Sequence, residues 1–185
     1  MTEPTEAKEN PVESFVDHVQ DALKIVQFKA EQIDKTAKDE SAFVMGLVII
    51  ALSGIALAIG RFDFQGLVFN PVLAVVFAFI WTGLLHLLAT LLFKGEGDFI
   101  EFFRPISHAY IVLWVVVIPF FWFPLGLIAE IWAAAVSVLI VERIYGLDRG
   151  KAIATVAIPI GAFFLLLFVF GGMMLFWLML RGVGW

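Results

Sequence analysis

Apolar and polar positions divide the chain into a mixed N-terminal segment and a long, almost uninterrupted apolar remainder. The first apolar run covers residues 42–60 and the second residues 70–93. A third covers residues 106–141 with only His108 and Glu130 as ionisable groups, and the last covers residues 152–180. A hydrocarbon core of roughly 30 Å is crossed by about 20 helical residues. The 106–141 run, at 1.5 Å per residue, would make a helix of about 54 Å, too long for one crossing. It contains Pro119 and Pro124 around Phe120, Phe121, Trp122 and Phe123. Proline breaks helices and aromatic rings favour the membrane interface, so this run predicts a helical hairpin with its turn near the two prolines. The fold class expected is all-α, a polytopic bundle of five transmembrane helices over residues 42–185, preceded by an amphipathic tail over residues 1–41. A re-entrant hairpin, shielded by protein or lining a wet cavity, satisfies the same pattern.

Within the tail, Val12, Val16, Val19, Leu23, Val26, Ala30, Ile33 and Ala37 recur at alternating spacings of 4 and 3. That is a heptad seam on a helix, widened by Phe15 and Phe28, with Pro11 suited to a first turn. Three uses fit: a coiled coil between protomers, a helix on the membrane surface, or a helix packed on the chain's own loops. Ten carboxylates against five lysines through residue 41 argue against attraction to anionic lipid.

Composition sharpens this reading. Apolar residues make up 62% of the chain and charged residues 16%, with a net charge of −5. A water-facing surface needs more charge than this, and nothing suggests nucleic-acid binding. Cysteine is absent, which excludes disulfides, thiolate metal sites and cysteine nucleophiles. The acidic first forty residues do not read as a cleavable signal. Lys and Arg concentrate in cytoplasmic loops. With the N-terminus in the cytoplasm, ten fall on that side, among them Lys8, Lys94, Arg104, Arg143, Arg149 and Lys151. Only Arg61 and Arg181 fall on the other, which places the C-terminus outside.

Ionisable groups inside a span cost roughly 2.5–3.5 kcal/mol each when charged and are functional candidates by default. His86, His108 and Glu130 qualify. His86 and His108, both toward the cytoplasmic side, would bind a metal or relay a proton if they faced one another. Two histidines without a third ligand make a poor zinc site, and a single hydrogen bond from each to a neighbouring helix is the competing reading. A protonated Glu130 bonded between helices is its simplest use. Gly54 with Ala58, and Ala129 with Ala133, are small-residue pairs that allow close packing. Gly171-Gly172 predicts a kink or close contact in the last span. No catalytic constellation or phosphate loop is present; no cofactor and no enzymatic activity are expected.

The stretch His86-Leu87-Leu88-Ala89-Thr90-Leu91-Leu92-Phe93-Lys94-Gly95-Glu96-Gly97-Asp98-Phe99 resembles the Yip domain family, Ypt/Rab-interacting-protein-like membrane proteins, in its prokaryotic branch. Ala109-Tyr110, Ile131-Trp132 and Tyr145-Gly146-Leu147-Asp148-Arg149-Gly150-Lys151-Ala152 continue the likeness, which spans residues 42–180. Lys94 departs from the pattern, since the prokaryotic branch often has a second glycine there. The resemblance implies five spans, an N-terminus in the cytoplasm, and a family-motif turn at Gly95, Gly97 and Phe99. The function expected is a non-enzymatic organiser of membrane partners or lipids in a prokaryotic cytoplasmic (inner) membrane. Its contacts would be lipid and a protein partner, or self-association through the N-terminal helix at Val12, Val16, Val19, Leu23, Val26 and Ile33. The alternative is a transporter or channel component with a polar path near His86, His108 and Glu130.

Overall fold

A computed structural model describes residues 11–182, and these residues are helical almost throughout. Residues 1–10, including Lys8, lie outside the described part. The helices are α1 (Pro11–Val26), α2 (Ala30–Lys38), α3 (Ser41–Gly60), α4 (Gly66–Leu87), α5 (Phe99–Ala109), α6 (Trp122–Tyr145) and α7 (Arg149–Gly182). A π-helical turn, Leu88–Leu92, extends α4, and a 3-10 segment, Tyr110–Val117, extends α5. Five segments are long and apolar enough to cross a membrane: Ser41–Gly60, Gly66–Leu92, Phe99–Val117, Trp122–Tyr145 and Arg149–Met174.

The two ends of the bundle follow from contacts. Tyr145 at the end of α6 lies against Gly95 and Gly97 in the loop after the second span. These loops and the start of α3 define the near end. At the far end, the Phe62 and Phe120 rings meet at 5.8 Å and the Arg61 guanidinium lies 5.1 Å over the Trp122 ring. The turn between the third and fourth spans therefore reaches the level of the loop between the first and second. The hairpin runs the full height of α3 rather than dipping part-way.

Glycines on α3 set the spacing. Gly46 lies against Ser107, midway along the third span, and Gly60 against the Val116 carbonyl near its far end. Their separation of fourteen residues is about four helical turns, so both fall on one face. Gly54 lies on another, where a Cβ would come 2.5 Å from the Asn70 carbonyl oxygen of α4. Gly54, one member of the small-residue pair read in the sequence, thus brings α3 and α4 backbone to backbone. The third span has only 19 residues, a short reach for an α-helix. Its last eight, Tyr-Ile-Val-Leu-Trp-Val-Val-Val, wind as a 3-10 helix, whose rise of about 2.0 Å per residue brings the span to about 32 Å. The Trp114 indole N–H, bonded to the Ile49 carbonyl at 3.1 Å, fixes this stretched segment to α3.

The core joins Ile49, Leu85, Phe102, Ile106, Val136 and Ile140 with Ala22, Ile25 and Ile33 of the N-terminal helices. Two expectations are corrected. The continuous seam over residues 12–37 is broken at residues 27–29, where Phe28 takes φ 62° and the chain folds back as an α1–α2 hairpin. The predicted break at Gly171-Gly172 does not occur: α7 runs through it as one helix, and a Cβ on either glycine would meet open space. From residue 161 to 174 every α7 side chain is exposed. The second half of the last span stands clear of the bundle, so no neighbouring helix presses on the glycine pair.

Gly54→Ala should lower the unfolding midpoint of the purified protein in detergent, by about 1–3 kcal/mol of overpacking. Gly83→Ala on α4, with nothing within 4 Å, should leave it unchanged or raise it. Equal midpoints for the two variants would show that the α3–α4 approach is not tight.

Candidate functional site, a buried polar centre at the near end

Helix ends leave backbone carbonyls without intrahelical donors. In the N-terminal hairpin, side chains of the spans fill this need. The Trp132 indole of α6 donates to the Val26 carbonyl at the end of α1, at 2.8 Å. The Arg104 guanidinium of α5 donates to the Ala37 carbonyl at the end of α2, at 2.7 Å. Both cover the negative end of a helix dipole. The Phe28 ring meets Trp132 edge-on at 5.3 Å, and Arg143 of α6 forms an ion pair with Asp34 of α2. Asp21 joins the two hairpin helices to each other, pairing with Lys24 at 2.9 Å and Lys35 at 3.5 Å.

At the centre are two histidines. His18 on α1 and His108 on α5 are both buried, with Nδ1 of His18 3.2 Å from Nε2 of His108. Nδ1 of His108 lies 2.8 Å from the Arg104 carbonyl oxygen and must donate to it. In neutral His108, Nε2 is then an acceptor, and His18 donates through Nδ1. Nε2 of His18 lies 3.0 Å from the Ser41 hydroxyl, which lies 2.6 Å from Oδ1 of Asp39. A hydroxyl has one proton to give. If Ser41 donates to Asp39, His18 donates at both ring nitrogens and carries both protons. If Ser41 donates to His18, Asp39 keeps the Ser41 backbone N–H at 2.9 Å. The two arrangements differ by one proton, with Oδ2 of Asp39 4.0 Å from the His18 ring.

Burial raises the pKa of the Asp39 carboxyl, but the Ser41 hydroxyl and backbone donors and the nearby His18 outweigh it, and the net shift is downward. Asp21 behaves alike: burial pushes it up, and Lys24 and Lys35 bring it below its ordinary value.

A second cluster gathers the motif residues. Nδ1 of His86 lies 2.6 Å from the Tyr145 hydroxyl, and the Phe99 ring stands edge-on to His86 at 5.6 Å. A Cβ on Gly95 would come 2.7 Å from the Tyr145 Cβ, and one on Gly97 2.6 Å from the Ile144 carbonyl oxygen. The turn fits against α6 only with glycine at these two places. Lys94 takes φ 60°, a conformation glycine adopts without strain. Asp98 caps α5, accepting from the Ile100 N–H at 2.7 Å.

His86 and His108 do not face one another; each takes the competing reading of a hydrogen bond to another helix, His86 with Tyr145 of α6 and His108 with His18 of α1. Glu130 joins neither; it lies exposed on α6 beside an apolar groove lined by Val112, Val115, Ile128 and Trp132. The three groups form no single polar path. Among the described residues no three His, Asp or Glu side chains are grouped to hold a metal. Of the tail residues, Val26 and Ile33 are buried and Val19 partly so, while Val12 (68%), Val16 (46%) and Leu23 (45%) are exposed. Sequence reasoning missed His18, which lies on the face opposite Val16 in a segment read for its apolar spacing; the recurrence of Phe15, His18, Ala22 and Ile25 on one face was the available signal.

The fold and this centre define a polytopic helical membrane protein whose N-terminal hairpin is built into the bundle. Residues 29–171 match the Yip1 domain, and the chain belongs to that family. No curated protein and no solved structure matches it. The match starts after α1, so His18 approaches the family domain from outside the matched residues.

His18→Ala leaves Nε2 of His108 buried without a donor, a cost of about 1–3 kcal/mol. Amide hydrogen exchange in α1 should accelerate about tenfold or more, and unchanged exchange would remove the His18–His108 bond as a restraint. Carboxylates with depressed folded-state pKa values stabilise above their unfolded values and lose that effect as pH falls through the folded ones. Spin labels on α1 and α6 should therefore show broadened distances as pH drops below about 4; a distribution unchanged in acid would mean that Asp21 and Asp39 do not hold the hairpin.

Proposed function

We propose that the protein is a non-enzymatic organiser of membrane partners, using α1 as its contact element. The observation that carries this reading is the docked hairpin. Four span side chains, Arg104, His108, Trp132 and Arg143, hold α1 and α2 in place, while Val16 and Leu23 present an apolar stripe away from the core. His18, His86 and His108 are engaged in helix-to-helix bonds, which supports a binding role rather than catalysis. Lys94, Arg143, Arg149 and Lys151 cluster toward the near end and Arg61 lies at the far end. This bias favours a prokaryotic inner membrane with the near end in the cytoplasm and the C-terminus outside. The partner would then be a cytoplasmic or membrane-surface protein that recognises an amphipathic helix through anchors two turns apart.

Deleting residues 1–40 would strip donors and acceptors from the spans as well as the stripe, so point changes test the reading better. A photo-crosslinking residue at Leu23 should give a discrete protein adduct in cells, and Val16→Asp should abolish it with the protein still inserted. An adduct of two copies would assign the stripe to self-association. Lipid adducts alone, or an adduct indifferent to Val16→Asp, would refute a protein contact there.

A further inference from the structure

At the near end, where the second and fourth spans finish and the fifth begins, the surface forms an open cleft with a cavity volume of about 490 Å³. Its polar wall is formed by Lys94, Glu96, Arg143 and Lys151, and its apolar wall includes Phe93 and Leu147. The volume lies within the range of small-ligand sites, roughly 300–1,000 Å³. The cations come from three separate elements. Arg143 is engaged by Asp34 of α2, and Lys151 has its ammonium 3.3 Å from Asp148. Lys94 has no hydrogen bond or ion pair among the described residues. It is held at φ 60° by two bonds of its neighbours: Phe93 N–H to the Leu88 carbonyl at 3.2 Å and Gly95 N–H to the Ala89 carbonyl at 2.9 Å. A non-glycine residue held in the left-handed region is strained and marks a place where function can be sought. The first turn of α7, with its positive dipole end, adjoins the same cavity.

Position selects the ligand. The cavity lies at the level where the spans meet the polar phase, and the exposed Leu92 and Ile153 lie on the adjoining span turns. Basic pockets between transmembrane helices bind anionic headgroups. We propose that this cavity binds a phosphate group presented by an anionic membrane phospholipid, with Lys94 as the free donor and Lys151 and Arg143 as donors shared with their carboxylates. Glu96, on the same wall, opposes the ligand's charge and limits its affinity. The site rests on the membrane-spanning fold and on none of the contacts proposed for α1.

The test uses the full-length protein, released from defined lipid and weighed by native mass spectrometry. Wild type should retain phosphatidylglycerol in preference to phosphatidylcholine. Lys94→Gln and Lys151→Gln should each weaken retention about tenfold, as expected for loss of one charge-assisted bond. Glu96→Gln should strengthen retention, a gain that misfolding cannot produce. Equal retention of the two lipids by wild type, or of phosphatidylglycerol by the lysine variants, would overturn the proposal. Displacement of phosphatidylglycerol by millimolar inorganic phosphate would overturn the lipid as occupant and assign the site to the free anion.

Discussion

Inside a bilayer an apolar surface gains little by meeting another apolar surface, because lipid chains are as apolar as leucine. Directed hydrogen bonds and close backbone packing must then decide which helices associate. In this protein the bonds fall at the places where α1 and α2 end and need donors. Trp132 meets the last carbonyl of α1 and Arg104 meets the Ala37 carbonyl near the end of α2. His18 meets His108 between them. The apolar residues Ala22, Ile25 and Ile33 follow these bonds into the core. A hairpin with the apolar residues alone would have no preferred register on the bundle.

The same economy governs the spans. Gly46 and Gly60 admit the third span to one face of α3, and Gly54 admits α4 to another. Close approach at both ends of α3 fixes the height of the third span, and its 3-10 winding supplies the length that 19 residues lack. At the near end Tyr145 joins two stretches far apart in the chain. Its ring lies against Gly95 and Gly97, meets Phe102 edge-on at 5.0 Å, and its hydroxyl reaches His86. Apart from Phe102, these residues belong to two of the stretches that resemble the Yip family, His86–Phe99 and Tyr145–Ala152, so the likeness in those two stretches reflects one packed joint.

Much of this was legible in the sequence. Apolar runs placed the spans because a bilayer imposes length and composition together, and Pro119 and Pro124 bracketed the turn that reaches Phe62. The motif glycines were legible as a turn, though not as the surface that receives Tyr145. The break in the N-terminal helix was not legible. Phe28 adopts a positive φ that its side chain disfavours, and no glycine or proline announces it. A heptad count also assigns Val12, Val16 and Leu23 to the seam because they are apolar, whereas the buried face is rotated toward His18, Ala22 and Ile25. Nothing in spacing alone tells that a histidine 90 residues from His108 supplies its missing donor. The pairing of His86 with Tyr145, 59 residues apart, was hidden for the same reason.

The proton count at His18 gives the docked hairpin a property that apolar packing lacks. Two hydrogen-bond arrangements occupy the same positions of His18, Ser41, Asp39 and His108, and they differ in whether Ser41 donates to the ring or to the carboxylate. In the arrangement with both ring protons, His18 donates toward α5 and toward the start of α3 together, and Asp39 lies within 4.0 Å of the ring. In the other, His18 accepts from Ser41 and the carboxylate loses a donor. Either way the donor to His108 is conserved, so the hairpin keeps its register. Since α1 lies outside residues 29–171, this attachment is the point at which a segment beyond the family domain is made part of the bundle. A helix held by a few directed bonds has one register on the bundle, which a uniform apolar contact would not impose.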